Sequence, residues 1–186
     1  MSLDAALTAY AELIGDTLVN GCGAPEPSRV LRYHGHGVPD DISCDGTDTG
    51  ILSVWWDTML PGSTRDPCQG VPSVYLHARW VICWKLAQAD SGGITLEDAT
   101  WDTDAALLAA AAECVARALL RLSCGIPPVP VDGEDEAVAK ARALVTLAQN
   151  RKVEFVSAAP VGVSGGIAGV EWTVELRLRG GATETS

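Results

Sequence analysis

Val170-Glu-Trp-Thr-Val-Glu-Leu-Arg-Leu-Arg179 alternates strictly between apolar and polar residues. Val170, Trp172, Val174, Leu176 and Leu178 share one side of an extended chain, and Glu171, Thr173, Glu175, Arg177 and Arg179 share the other. That period of two specifies a strand with one buried and one wet face. Immediately upstream lie Arg151-Lys-Val-Glu-Phe-Val-Ser-Ala-Ala-Pro160 and the glycine-rich Val161-Gly-Val-Ser-Gly-Gly-Ile-Ala-Gly169. Together they read as a C-terminal β-hairpin with a long glycine-rich loop, a sheet edge carrying a flexible projection. Its residue types suit contact more than chemistry.

Outward from the hairpin, Val74 to Leu86 is the strongest internal strand. Val74, Leu76, Ala78, Trp80, Ile82 and Trp84 face one way, and Tyr75, His77, Arg79, Val81, Cys83 and Lys85 face the other. Ile51 to Met59 is another strand, in which Trp55 and Trp56 must face opposite sides, and Ser28 to His34 is a short one. An N-terminal helix, with Ser2 as its cap, places Leu3, Ala6, Leu7, Tyr10, Leu13, Ile14 and Leu18 at helical spacing and ends at Gly21 and Gly23. A long alanine-rich helix starts near Asp102 or Thr103 and runs to about Cys124, where Gly125 and the proline run to Pro130 stop it. A third helix, capped at Asp132, carries a narrow stripe of Ala137, Ala141, Leu144, Val145 and Ala148.

This order predicts an α+β fold, a mainly antiparallel sheet with helices packed on one face. The length of 186 residues suits a single domain over 1–186, with a flexible tail from 180 to 186. No apolar run is long enough to span a bilayer, no signal peptide is recognisable, and no membrane role is expected. The formal net charge is -11. No cluster of Lys and Arg offers the counterion replacement that specific nucleic-acid binding needs.

Several patterns resemble chemical sites and fail on spacing. Cys22, His34, His36 and Cys44 have the ligand types for zinc without a close Cys-x-x-Cys pair. Asp41 to Gly46 resembles the opening of a calcium loop, but its closing position is Leu52 where a bidentate Glu is required. The glycines at 162, 165, 166 and 169 lead into a strand and lack a lysine, so they do not form a phosphate loop. His77 and Cys83 share a strand face but lie about 20 Å apart at strand rise, too far to act as a base and thiol pair. No catalytic residue, cofactor site or metal site is assigned. The six cysteines are expected to be reduced thiols. Cys83, Cys114 and Cys124 serve as small apolar residues, and one disulfide among Cys22, Cys44 and Cys68 stays open as an alternative. Trp80, Trp84 and Trp172 are expected in the core, and either Trp55 or Trp56 at a subunit contact.

The segment Ala159-Pro-Val-Gly-Val-Ser-Gly-Gly-Ile-Ala-Gly-Val-Glu-Trp172 resembles the C-terminal hairpin of tail terminator proteins from long-tailed bacteriophages, especially those infecting actinobacteria. The N-terminal helix, the paired tryptophans, the strand around Trp80 and the alanine-rich helix are compatible in layout. The resemblance implies a structural virion protein. It would form a sixfold homo-oligomeric ring that caps the tail tube, stops tube polymerisation and meets a head-completion or neck protein. DNA would pass through an acidic lumen without specific binding. The protein would reside in the virion tail and neck, and in the host cytoplasm during assembly. The expected contact residues are Pro160, Val161, Gly162, Val163, Ser164, Gly165, Gly166, Ile167, Ala168 and Gly169, with Trp55. Alternatives are another neck or head-completion protein or, from a different class, a zinc-binding or thiol enzyme.

Overall fold

The structure is a computed structural model that describes residues 3–34, 50–60, 73–83, 87–88, 94–95, 98–124, 136–164 and 167–178. Helix α1 (Leu3–Asp16) continues into a π-helical turn (Thr17–Gly21). Strands β1 (Arg29–His34), β2 (Ile51–Leu60) and β3 (Ser73–Cys83) follow, then a two-residue pair, β4 (Ala87–Gln88) with β5 (Ile94–Thr95). Helices α2 (Asp98–Ser123) and α3 (Glu136–Leu147) precede β6 (Ala148–Ser164) and β7 (Ile167–Leu178).

The fold is α+β, built on a five-stranded sheet in the order β1-β2-β3-β7-β6. The sheet is mixed. β2–β3, β3–β7 and β6–β7 pair antiparallel, but β1 runs parallel to β2, from Arg29 opposite Ile51 to His34 opposite Trp56. The expectation of a mainly antiparallel sheet holds for three of the four strand pairs, and the β1 edge is the parallel exception. A parallel return needs a connection of about a dozen residues or more, and the 35–49 segment meets that requirement. The start of the pair is fastened by Ser28, whose N–H and hydroxyl both donate to the Gly50 carbonyl at 2.9 Å.

The alternation of β3 and β7 builds one face of the core. Val74, Leu76, Ala78, Trp80 and Ile82 on β3 pack beside Ala168, Val170, Trp172, Val174 and Leu176 on β7. Helix α1 lays Ala6, Leu7, Tyr10, Leu13 and Ile14 on this layer, and α2 adds Leu108, Ala111, Val115, Leu119 and Leu122 at helical spacing. Trp80 and Trp172 are fully buried, as their periodicity predicts. The phenol of Tyr10 donates to the Trp172 carbonyl at 3.2 Å, and the Trp172 indole donates to the Ala112 carbonyl at 3.3 Å, so α1 and α2 are both pinned to β7. Burial, with the Glu171 charge adding to it, pushes the Tyr10 phenol far above its ordinary pKa. Helices α1 and α3 are joined by Lys140, which donates to the buried Asp16 carboxylate at 2.7 Å. Burial raises the Asp16 pKa, but the hydrogen bonds from Lys140 and Asn20 outweigh it and hold the carboxyl below its usual value.

Element bounds differ from the sequence reading in informative places. Helix α2 begins at Asp98, ahead of Asp102. The first helix does not stop cleanly at its glycines. It widens into the π turn, where the Cys22 N–H donates to the Thr17 carbonyl at 2.8 Å, before Gly23 takes a left-handed φ of 65°. Strand β6 starts at Ala148 and runs to Ser164, and β7 starts at Ile167. Most of the expected glycine-rich loop is therefore ladder, since Val161 pairs with Gly169 and Ser164 with Ile167.

Candidate functional site

Two surfaces of the sheet carry the features that bear on function, the face opposite the helices and the β6 edge. On the opposite face the polar register of three strands converges. Asp57 of β2, His77 and Arg79 of β3, and Glu171 and Thr173 of β7 form one cluster. His77 Nδ1 lies 3.1 Å from Glu171 Oε1 and 3.1 Å from Thr173 Oγ1. Nε2 lies 3.1 Å from Asp57 Oδ1, an ion-pair distance without the alignment of a hydrogen bond. Arg79 donates through Nε at 3.0 Å and a terminal nitrogen at 2.7 Å to Glu171 Oε2. The Trp55 indole stacks on the imidazole with centroids 5.1 Å apart and 12° between planes, and the Arg79 guanidinium lies 5.1 Å from the Trp55 ring centre.

The electrostatics follow from this arrangement. Burial works against charge on His77, but the hydrogen bond to Glu171 and the Asp57 carboxylate outweigh it and raise its pKa. Glu171 is held below its usual value by the hydrogen bond from His77, against an opposing desolvation, with Arg79 adding to the effect. The cluster is a charge-balanced brace across β2, β3 and β7. Its histidine is engaged by carboxylates on both ring nitrogens, so neither nitrogen is presented as a free base. Nor is the face open: Ser53 is fully buried and Thr173 nearly so.

The same contacts place Trp55. Only 6% of it is exposed, which leaves little of the ring for a subunit contact, while Trp56 packs partly buried against the core on the other side. The sequence could assign the two rings to opposite faces but could not show that His77 and Arg79 would bury one of them.

The second surface is the edge formed by β6. Its N-terminal part is occupied by α2: the Ser123 hydroxyl donates to the Val153 carbonyl at 3.0 Å and accepts from the Phe155 N–H at 3.2 Å. A bulge follows between Phe155 and Ser157. Val156 in the bulge and Ser157, Ala158, Ala159 and Pro160 beyond it are all exposed. Proline cannot donate to a ladder and is confined to edges, as Pro160 is here, opposite Val170.

The expected contact residues separate accordingly. Pro160 is exposed, and Val161 and Ile167 are half-buried. Ala168 and Gly169 belong to the interior of β7. A Cβ on Gly169 would stand 2.3 Å from the Trp80 carbonyl oxygen and 2.8 Å from Val81 Cγ1. That glycine is required by close strand approach and not by loop freedom. Gly162, Val163 and Ser164 lie in β6, and Gly165 and Gly166 lie outside the described residues.

The thiols are not as expected. Cys22, at the end of the π turn, is bonded to Cys114 of α2 with their Cα atoms 5.9 Å apart, and Cys83 is also disulfide-bonded. Reduced structural thiols are therefore corrected for these three. The reason is tertiary: the fold lays the π turn against the middle of α2, across a sequence separation of 92. Cys124 is a free, exposed thiol. The bond also withdraws Cys22 from the zinc pattern, whose His36 and Cys44 lie outside the described residues, as do Cys68, Trp84, the calcium-like segment 41–46 and the tail 180–186. Among the described residues no group of three or more His, Cys, Asp or Glu could hold a metal ion, and no helix is long and apolar enough to cross a membrane.

Beside the disulfide, an open cleft of about 690 Å³ runs between the end of α1, the π turn, α2 and the start of α3. Asp16, Glu113 and Glu136 line it together with Arg117 and Arg121. Arg117 is paired with Glu113 and Asp16 with Lys140. The mixture of signs selects no ligand charge. Comparison with models of known families finds no match, and comparison with curated proteins finds none either.

Proposed function

We propose that this protein is a structural virion component that works by self-assembly, as a ring capping a phage tail tube at the junction with the neck. The observation that carries this reading is the β6 edge. A strand that is covered by Ser123 up to Phe155 and then left exposed and uncharged from Val156 to Pro160 offers backbone groups to an incoming strand, a recurrent mode of protein association. The disulfides support a protein whose working location is a released particle, since such bonds persist at virion surfaces and are rare in the reducing cytosol. The same bonds weigh against a thiol enzyme, because they consume three thiols. The imidazole of His77 is likewise engaged by Asp57 and Glu171.

The test uses purified chain, purified tail tubes lacking their terminator and portal-bearing heads from the same phage. Electron microscopy should show rings on the head-proximal ends of tubes, and tubes assembled in their presence should stop lengthening. Binding to heads but not to tubes assigns the protein to the head-completion side of the neck. Binding to neither refutes the reading.

A further inference from the structure

Among the described residues the sheet has two edges, β1 and β6, and they share a property that matters for a chain of net charge -11. Two copies of so acidic a protein repel each other unless they meet where negative charge is absent. From Phe155 to Val170 the chain carries no charged side chain, and the only acidic or basic residues of β1 other than a histidine are Arg29 and Arg32. Beyond Glu154 the β6 edge thus lacks carboxylates, as does β1.

The two stretches also match in length. Ser123 occupies the backbone groups of Val153 and Phe155, so the open part of β6 begins after the bulge and spans Ser157 to Val161. β1 covers Arg29 to His34, and Val30 within it is 50% exposed. Within a ladder, the missing N–H of Pro160 belongs on the side away from β7. By the alternation of an antiparallel strand, Ala158 then turns both its N–H and its carbonyl to that side.

We infer that the β6 edge from Ser157 to Val161 receives β1 of a second copy, so that the sheets of neighbouring copies join head to tail. This deepens the ring reading and rests on it for its biological setting. A contact between two different edges is heterologous, and heterologous contacts are the ones that close into rings or run on as filaments. A β6-to-β6 contact would be isologous and would stop at a dimer.

The experiment uses the full chain and three variants, with native mass spectrometry as the readout and circular dichroism as the check on folding. Ala158→Pro removes the outward N–H of β6. Ser157→Lys places an edge charge of the kind natural sheets use to prevent pairing. Val30→Lys does the same on β1. Wild-type chain should assemble beyond the 19.4 kDa monomer, and each folded variant alone should shift to monomer. Mixing Ser157→Lys with Val30→Lys should restore a dimer and nothing larger, because each chain keeps one good edge. Ala158→Pro keeps the test decisive should a lysine variant misfold.

Assembly that survives the β6 variants overturns the edge assignment and leaves the ring reading standing. Loss of assembly on the β6 side alone, with Val30→Lys silent, replaces the head-to-tail contact by an isologous one and overturns the inference. A wild-type chain that stays monomeric at every concentration overturns the inference as well. Edge-dependent assemblies that bind neither tubes nor heads support the inference while removing the proposed function.

Discussion

Severing the Cys22–Cys114 bond gives the sharpest test of the tertiary arrangement. The bond closes a loop across a sequence separation of 92. In the chain-entropy account, a cross-link of that span restricts the unfolded ensemble by about 4.6 kcal/mol at room temperature. For 186 residues, the usual unfolding entropy of about 2.1 cal/mol/K per residue gives a total of about 390 cal/mol/K. The double variant Cys22→Ser/Cys114→Ser should therefore melt about 12 °C below the oxidised wild type. Replacing both cysteines avoids a new thiol that could exchange with the exposed Cys124. The assay is scanning calorimetry on both proteins, followed by alkylation and peptide mapping of the unreduced wild type. The gap should close when both proteins are melted in reductant, because both then lack the Cys22–Cys114 bond and the Cys83 disulfide opens in each. Equal melting temperatures under oxidising conditions, or alkylation of both Cys22 and Cys114 without reductant, would refute the packing of the π turn on α2.

Four further outcomes are expected. The His77 pKa is raised in the folded protein, so its stabilising contribution is complete below the unfolded value of about 6.5 and is lost as pH rises through the folded value. Urea midpoints of wild type and His77→Gln should accordingly differ most at mildly acidic pH and converge on the alkaline side, and a gap that widened with pH would contradict the double-carboxylate setting. The lowered Glu171 pKa has the opposite sense: its contribution is present above the ordinary carboxylate range and disappears as pH falls through the folded value, which Glu171→Gln tests below about pH 4.5. Gly169→Ala should cost at least about 1–3 kcal/mol through overpacking against the Trp80 carbonyl, whereas Gly23→Ala, with open space but a φ of +65°, should cost about 1–2 kcal/mol of backbone strain alone; chemical denaturation of the pair separates contact from conformation. Tyr10→Phe should lower stability by about 0.5–1.5 kcal/mol in the same assay, the usual net value of one hydrogen bond, because the phenol donates to the Trp172 carbonyl.

Residues that act through short-range periodicity were legible from the chain alone. The faces of β3 and β7, the burial of Trp80 and Trp172, the stripe of α1 and the opposite orientations of Trp55 and Trp56 all follow from where a side chain points in a strand or helix. The α+β class follows from the order of those elements. Strand direction at the edge did not follow, because nothing local distinguishes a parallel from an antiparallel partner once the connection is long enough for either. The two short strands β4 and β5 are too brief to show a period.

The candidate surfaces divide along the same line. That β6 ends in small, uncharged residues is written in the chain; that Ser123 covers its first part and leaves the rest open depends on how α2 crosses the sheet. Asp57, His77 and Glu171 stand far apart in sequence and meet only because β2, β3 and β7 are neighbours in register. The Cys22–Cys114 bond and the close approach at Gly169 arise in the same way. Backbone periodicity is a property of a few adjacent residues, so the amino-acid order by itself determined which of the longer segments are helix and strand and which faces they bury. Contacts between distant segments depend on how those faces dock, and only the tertiary structure decided them.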